Sequence, residues 1–139
     1  MIEMKGLNIL LGCDNLKSTG TGTFIYSLNN ELLKRGHDVD IFTFNNGLIG
    51  SRLPNLITNI SKNSKYDLLI LSQKNIVDEI LKLNVSGFKI YVSLMYDNFD
   101  KKKFPNETGP FNEMNRVVTL SEESQNKLQS NGVKSSVIF

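Results

Sequence analysis

The chain has 139 residues, one cysteine, one histidine and a formal net charge of +2 at pH 7. This length suits one well-buried domain and is too short for two ordinary ones. The nearly neutral charge gives no support for nucleic-acid binding, and a single cysteine excludes an internal disulfide and a cysteine-built metal site. One histidine cannot complete the usual zinc ligand sets. We therefore expect a single domain over residues 1–139, with no metal and no cofactor.

The amino-terminal residues contain an apolar run that is far too short for a signal peptide or a membrane span. We therefore expect a cytoplasmic protein. The cluster Lys101-Lys102-Lys103 is usually a solvated surface. The alternative is contact with an anionic lipid head group or a phosphorylated acceptor, so peripheral contact with a membrane stays open.

Strand and helix patterns alternate from the start of the chain. Leu7–Leu11 is a nearly continuous apolar run, typical of a strand buried on both faces. The polar residues 12–21 predict a loop. From Gly22 onward, apolar residues recur at three- and four-residue spacing, which predicts a helix that Gly36 ends. Val39–Phe44 is rich in β-forming residues and predicts the second strand.

The alternation continues through the second half of the chain. The apolar spacing over residues 53–60 predicts a short helix. The same criteria predict strands over residues 67–71, 88–94 and 116–120, helices over residues 76–81 and 121–130, and a last apolar run over residues 136–139. Residues 95–115 are polar, contain Pro105, Gly109 and Pro110, and predict a long loop.

This order of elements predicts the fold class. Strands that alternate with helices form parallel sheets, because each crossover helix must pack back onto the sheet. We expect an α/β fold, namely a three-layer Rossmann-like domain with a mainly parallel sheet of about six or seven strands. Helices are expected to cover both faces of this sheet.

The segment Thr19-Gly20-Thr21-Gly22-Thr23 follows the first strand, where a helix N-terminus can face an anion. It is not a Walker loop, because no lysine follows the glycine, and Ile25 occupies the third glycine position of the dinucleotide fingerprint. A receiver-type phosphoacceptor would need an acidic pair, but only Asp14 is present. Two interpretations stay open: a turn whose backbone N–H groups approach a phosphate or a sugar hydroxyl, or a plain connection.

Four segments together resemble the start of a GT-B glycosyltransferase, most closely glycosyltransferase family 4. They are Gly20-Thr21-Gly22, the turn from Leu32 through Gly36-His37 to Val39, the strand Tyr66–Ile70 and the segment Val117–Ser124. The family has a glycine-rich loop after its first strand, a Leu-x-x-x-Gly-His-x-Val turn, an Asp-hydrophobic strand and a Ser-Glu helix start. The resemblance covers nearly the whole chain, but only the first half of such an enzyme.

The resemblance implies an acceptor-side domain of a retaining glycosyltransferase that uses a nucleotide-sugar donor and a sugar or lipid-linked acceptor. The C-terminal donor-binding domain is expected to be absent here, or supplied by a separate chain, so this chain alone is expected to be inactive. The substrate-binding residues implied are Gly20, Thr21, Gly22, Thr23, Tyr96, Asp97 and Ser121.

The chain departs from the family where many members carry a histidine after the fifth strand. Tyr96 takes that place, and the neighbouring Asp97 is the candidate catalytic residue that remains. A step that depends on the histidine is therefore not expected. The competing hypothesis is a non-enzymatic, flavodoxin-like α/β module for binding or interaction.

Overall fold

The computed structural model describes residues 6–15, 19–45, 53–93, 113–119, 126 and 136–137. These residues form seven strands and two helices. The strands are β1 (Asn8–Asn15), β2 (Asp38–Asn45), β3 (Leu56–Ile57), β4 (Lys65–Ser72), β5 (Ser86–Ser93), β6 (Arg116–Thr119) and β7 (Ser136–Val137). The helices are α1 (Thr19–Lys34) and α2 (Lys74–Lys82). Of the predicted helix over residues 121–130, Asn126 alone is described, and it is helical.

The seven strands form one sheet in the order β3-β2-β1-β4-β5-β6-β7. Every pair of neighbouring strands is parallel. The predicted α/β, Rossmann-like fold is therefore confirmed. The chain builds the sheet outward from β1 to β3 on one side and then from β4 to β7 on the other.

The side chains of β1 divide between two hydrophobic cores on opposite faces of the sheet. Ile9 and Leu11 pack in the same cluster as Ile25 of α1. Leu10, which points to the other face, packs in a cluster with Ile76 of α2. Each described helix thus contributes to one core. Coverage of both faces by helices over the whole sheet stays a prediction.

The prediction of a helix over residues 53–60 was wrong, because this segment contains strand β3, which pairs with β2. Leu56 packs against the core that contains Ile25, whereas Ile57 packs against the core that contains Ile76. Adjacent side chains that reach opposite faces are typical of a strand. A short apolar run fits both periods, so the sequence pattern did not distinguish them.

A side-chain amide pair helps to hold this segment as a strand. The side chain of Asn55 donates its Nδ2 protons to Oδ1 of Asn29 at 2.6 Å and to the carbonyl of Val39 at 2.9 Å. Asn29 lies on α1 and is buried. These bonds join α1, β2 and the start of β3, and the Asn55 carbonyl accepts the Ile41 N–H at 3.1 Å. The strand is therefore fixed by partners that are distant in sequence.

The predicted loop over residues 12–21 is also much shorter in the structure. β1 continues through the polar residues to Asn15, and α1 already begins at Thr19. Pairing of Cys13 with Thr43 on one side and with Ser72 on the other extends the strand. A central strand is held by two ladders, which tolerate polar side chains at its end.

The turn after α1 was predicted correctly. Gly36 has a φ of 87°, which favours glycine, and its N–H donates to the Leu33 carbonyl at 3.0 Å. The His37 N–H donates to the Leu32 carbonyl at 3.1 Å, and His37 Nδ1 accepts the Leu7 N–H at 3.0 Å. His37 is thus a structural residue that ties the helix end to the start of β1.

Candidate functional site

The strand order creates a topological switch point at β1, whose neighbours β2 and β4 are reached by connections that lead in opposite directions along the sheet. In open α/β sheets, ligands bind in the crevice outside the carboxyl ends of the strands at such a point. Here the edge is formed by Cys13-Asp14-Asn15, the end of β2 and Ser72-Gln73. We call it the carboxyl edge.

Asp14 binds the amino terminus of α2 across this edge. Its Oδ1 accepts the backbone N–H of Ile76 at 2.9 Å, and it also bonds the backbone and the side chain of Asn75. The first N–H groups of a helix have no partner within the helix. The carboxylate of Asp14, which lies on β1, therefore caps the amino terminus of α2.

Gln73 adds a hydrogen bond between the ends of β1 and β4. Its Oε1 accepts the Asp14 N–H at 2.8 Å. Gln73 precedes α2 with φ 78° and ψ 148°, and its side chain makes no capping bond to the helix. A positive φ is unfavourable for a residue other than glycine, so this backbone is strained. The bonds with Asp14 help to hold the strained turn.

Gly12 lets α2 approach β1 at the same place. A Cβ atom on Gly12 would lie 2.9 Å from Cδ2 of Leu71 and 3.1 Å from Cγ1 of Ile76. Both distances are too short for ordinary van der Waals contact. Gly12 and Asp14 point to the same face of β1, because they are two residues apart. The first provides space for the start of α2 and the second binds it.

The environment of Asp14 raises the pKa of its carboxyl group above 3.8, the ordinary value. Burial is the largest cause, since it disfavours the charged form. Hydrogen bonds from Ile76 and Asn75 act in the opposite direction, and the nearby charge of Asp78 raises the pKa further. Shifted carboxyl groups in clefts are candidates for functional sites, but this one is bound to a helix end.

Cys13 is fully buried, and its pKa is raised to about 11. Burial is the main cause, a bond with the Thr43 side chain lowers the pKa, and the charge of Asp14 raises it. The nucleophilic thiolate is scarce in such a setting. Cys13 is therefore a core residue, rather than a reactive one.

The glycine segment lies in the first turn of α1. Gly20, Thr21 and Gly22 are helical; Gly22 is buried and Thr23 is exposed. The interpretation of this segment as a turn was therefore wrong. The helix still begins close behind the carboxyl end of β1, so its first N–H groups, which have no partner within the helix, belong to the carboxyl edge. N–H groups at a helix start donate hydrogen bonds to a phosphate or to a sugar hydroxyl.

The other predicted site residues, Tyr96, Asp97 and Ser121, lie outside the described residues. The substrate-binding roles of these three residues and the catalytic role of Asp97 stay predictions. The strand β2 ends in Thr43-Phe44-Asn45, without the acidic residue that dinucleotide-binding domains use to bind the ribose. This agrees with the exclusion of a dinucleotide fingerprint.

Phe44 adds an aromatic surface to the carboxyl edge. Its side chain is 52% exposed and packs edge-to-face on Phe42, with ring centroids 5.7 Å apart. The register pairs Cys13 with Thr43 and Asn15 with Asn45, which places Phe44 level with Asp14 and on the same face of the sheet. Neither a site role for Phe44 nor the capping role of Asp14 was predicted from the sequence. The sequence feature that could have indicated these two residues is a polar or aromatic side chain at the end of a buried strand.

A separate cavity of about 350 Å³ lies at the opposite, amino-terminal edge of the sheet. Its lining is mostly polar and consists of Asn8, Ile9, Asp38, Asp40, Ser64, Lys65 and Tyr66. Tyr66 donates its hydroxyl proton to Oδ2 of Asp40 at 2.8 Å. Burial, followed by that bond and the charge of Asp40, raises the pKa of Tyr66. This cavity is not part of the carboxyl edge.

The strand order and the position of α1 define a Rossmann-like α/β domain with its candidate site at the switch point. A scan against protein-family models, a search of curated proteins and a search of solved structures found no match to the chain. Within the described residues, no group of histidine, cysteine and acidic side chains could hold a metal ion. None of the described helices is long and apolar enough to cross a membrane.

Proposed function

We propose that the chain is the acceptor-side domain of a retaining GT-B glycosyltransferase, similar to family 4. A sugar would pass from a nucleotide-sugar donor to a sugar or lipid-linked acceptor that binds at the carboxyl edge. The donor nucleotide would be held by a C-terminal domain or a separate chain. In this proposal Gly20, Thr21, Gly22 and Thr23 contact substrate, together with Tyr96, Asp97 and Ser121, and Asp97 is the catalytic candidate.

The observation that carries the proposal is the position of the glycine segment relative to the sheet. The helix that contains Gly20 and Gly22 begins at Thr19, four residues after β1 ends at Asn15, directly at the switch point. A helix start with small residues allows a sugar or phosphate to approach the backbone closely. Of the segments that resemble the family, the glycine segment is the one at the edge where this type of sheet binds ligands. The Gly36-His37 turn precedes β2 at the opposite edge.

The strand order differs from the flavodoxin-like form that the competing hypothesis of a binding or interaction module names. In the flavodoxin-like order, the third strand lies next to the first. Here the third strand lies at the sheet edge beyond β2, and β4 lies next to β1. This order is the one found in the doubly wound nucleotide-binding domains.

The proposal is tested by NMR titration of the isotope-labelled chain with a panel of neutral methyl hexosides, and with uridine and guanosine diphosphate sugars. We expect the hexosides to shift the amides of Asp14, Thr23 and Gln73 at the carboxyl edge. The amides of Gly6 and Gly87, near the opposite edge, should not move. We expect the chain alone to turn over none of the nucleotide sugars.

Two variants on α1 localise the effect. Thr23 and Ser27 are both exposed hydroxyl residues, one helical turn apart. Thr23→Ala should weaken hexoside binding, whereas Ser27→Ala should leave it unchanged. Tight binding of a nucleoside diphosphate to the isolated chain, or turnover of its sugar, would contradict an acceptor-side role. Hexoside shifts confined to the amino-terminal edge would contradict the location.

A further inference from the structure

The amino terminus of α2 already holds an anion, because the carboxylate of Asp14 is bound there. Its Oδ1 lies 2.9 Å from the Ile76 nitrogen, and Asn75 provides further hydrogen bonds. The first turn of α2 contains no acidic residue of its own. Asp14 therefore supplies the negative charge that a helix amino terminus favours. Phosphate ions commonly occupy this type of position in α/β proteins.

The geometry around Asp14 makes this arrangement specific. Gly12 leaves the space in which the start of α2 reaches β1, and the side chain of Gln73 accepts the Asp14 N–H at 2.8 Å. Two sets of bonds thus hold Asp14 in place: its backbone N–H bonds to Gln73, and its carboxylate bonds to the helix that it caps. A mobile surface aspartate could turn away from an approaching anion, but this one is held in place.

We propose that Asp14 determines the charge of the ligand at the carboxyl edge: over β1 and β4 the edge accepts an uncharged, hydroxyl-bearing group and rejects a phosphate. This inference deepens the proposed function. The identification of the uncharged group as a sugar acceptor rests on that function. The exclusion of phosphate follows from two effects. The amides of Asn75 and Ile76 are already bound by Asp14, and like charges placed side by side are strongly unfavourable.

Phe44 gives the edge a surface for such a group. The half-exposed ring lies level with Asp14 and on the same face of the sheet. Ligand sites combine apolar and aromatic surface with a few placed polar groups. A sugar presents both an apolar ring face and hydroxyl donors. An uncharged sugar therefore suits the ring of Phe44 and the carboxylate of Asp14 better than a phosphate does.

The test compares the wild-type chain with Asp14→Ala and Asp14→Asn in titrations with inorganic phosphate at constant ionic strength. The readouts are the NMR shifts of the Asn75 and Ile76 amides. Asp14→Ala frees the amides and removes the charge, so it should bind phosphate at least about tenfold more tightly than the wild type. Asp14→Asn keeps an acceptor for Ile76 but removes the charge, so its gain should be smaller.

Asp67→Ala is the matched control. Asp67 also accepts a backbone N–H, that of Asn8 at 2.8 Å, but it lies towards the other edge of the sheet. This variant should not gain phosphate binding. Circular dichroism verifies the fold of each variant, and Asp14→Asn provides the test if Asp14→Ala does not fold. Equal phosphate affinity of the wild type and the folded Asp14 variants would overturn the proposal.

The methyl hexosides separate this proposal from the proposed function. If Asp14→Ala gains phosphate binding but no hexoside binds the wild type, the exclusion of phosphate holds, whereas the sugar acceptor does not. If hexosides bind at the carboxyl edge and phosphate binds equally to all variants, the acceptor role survives and the role of Asp14 is refuted. If phosphate binds the wild type through the Ile76 amide, the carboxylate does not exclude anions.

Discussion

At the residue scale, Asp14 shows how a side chain can be committed to structure at a position where ligands bind. The same carboxyl group is desolvated, bonded to the start of α2 and close to Asp78. The sequence pattern relates Asp14 only to an acidic pair for phosphate chemistry, of which it would be one half. Its partner proved to be a backbone N–H that is 62 residues away in the chain, which no local pattern indicates.

The raised pKa of Asp14 predicts a specific dependence of stability on pH. Between its ordinary value of 3.8 and its higher value in the fold, the native state binds more protons than the unfolded state. The contribution of Asp14 to the free energy of unfolding is therefore fully present below that window and is lost as pH rises through the folded pKa. Asp14→Asn should lack this decrease.

Urea unfolding of the wild type and Asp14→Asn at several pH values across the acidic range measures this effect. The stability of the wild type relative to the variant should fall as pH rises. NMR titration of the Asp14 carboxyl group should give a pKa above 3.8. A relative stability that increases with pH would mean that the amide bonds outweigh burial, and that the folded pKa is depressed.

At the element scale, the start of α2 depends on two residues of β1. Gly12 leaves space for Leu71 and Ile76, and Asp14 binds the Ile76 N–H. Strand β3 depends on other elements in the same way, because Asn55 bonds to α1 and β2. Elements whose position depends on such contacts are the ones that sequence patterns describe least well.

Gly12→Ala should lower the free energy of unfolding by about 1–3 kcal/mol through overpacking. Leu71→Val removes the Cδ2 atom, which would lie 2.9 Å from the new Cβ. The two substitutions together should therefore cost less than the sum of their separate effects. Urea unfolding of the two single variants and the double variant measures this coupling.

Gly36→Ala is the control, because its cost in stability has a different physical cause from that of Gly12→Ala. Nothing lies within 4 Å of a Cβ at Gly36, but its φ is 87°. The cost, about 1–2 kcal/mol, should come from the backbone conformation alone. It should be additive with Leu71→Val. Equal coupling of both glycine variants to Leu71→Val would contradict the packing explanation for Gly12.

At the scale of the whole molecule, stability is concentrated at the centre of the sheet. β1 is paired along its length with both β2 and β4. Its apolar side chains are completely or almost completely buried, with Leu10 and Leu11 at 0% exposure. The edge strand β3 has two residues and pairs with β2 alone among the described strands. The sheet should therefore open first at this edge.

Amide hydrogen exchange tests this distribution. Leu10 and Leu11 should be protected by a free energy of opening at least about 2 kcal/mol higher than that of Leu56 and Ile57, because edge strands open locally. Residues of β4 should resemble β1. Equal protection of β1 and β3 would contradict the order of strands, since it would place both strands at similar depth.

The sequence by itself determined the fold class, the approximate position of most strands and the end of α1. These features follow from apolar runs, helical spacing and a glycine with positive φ, all of which are local properties. It also predicted the elements near the candidate site. It was wrong about residues 53–60 and about the loop before α1, where pairing with neighbouring strands outweighed local polarity and spacing.

Tertiary structure alone decided which residues meet at the carboxyl edge. The order of the strands brings Asp14, Phe44 and Gln73 together from three strand ends. Parallel strands are joined by long connections, so their ends are neighbours in space while remaining distant in sequence. The role of Asp14 as a cap for α2, and with it the expected charge of the ligand, arises from that proximity.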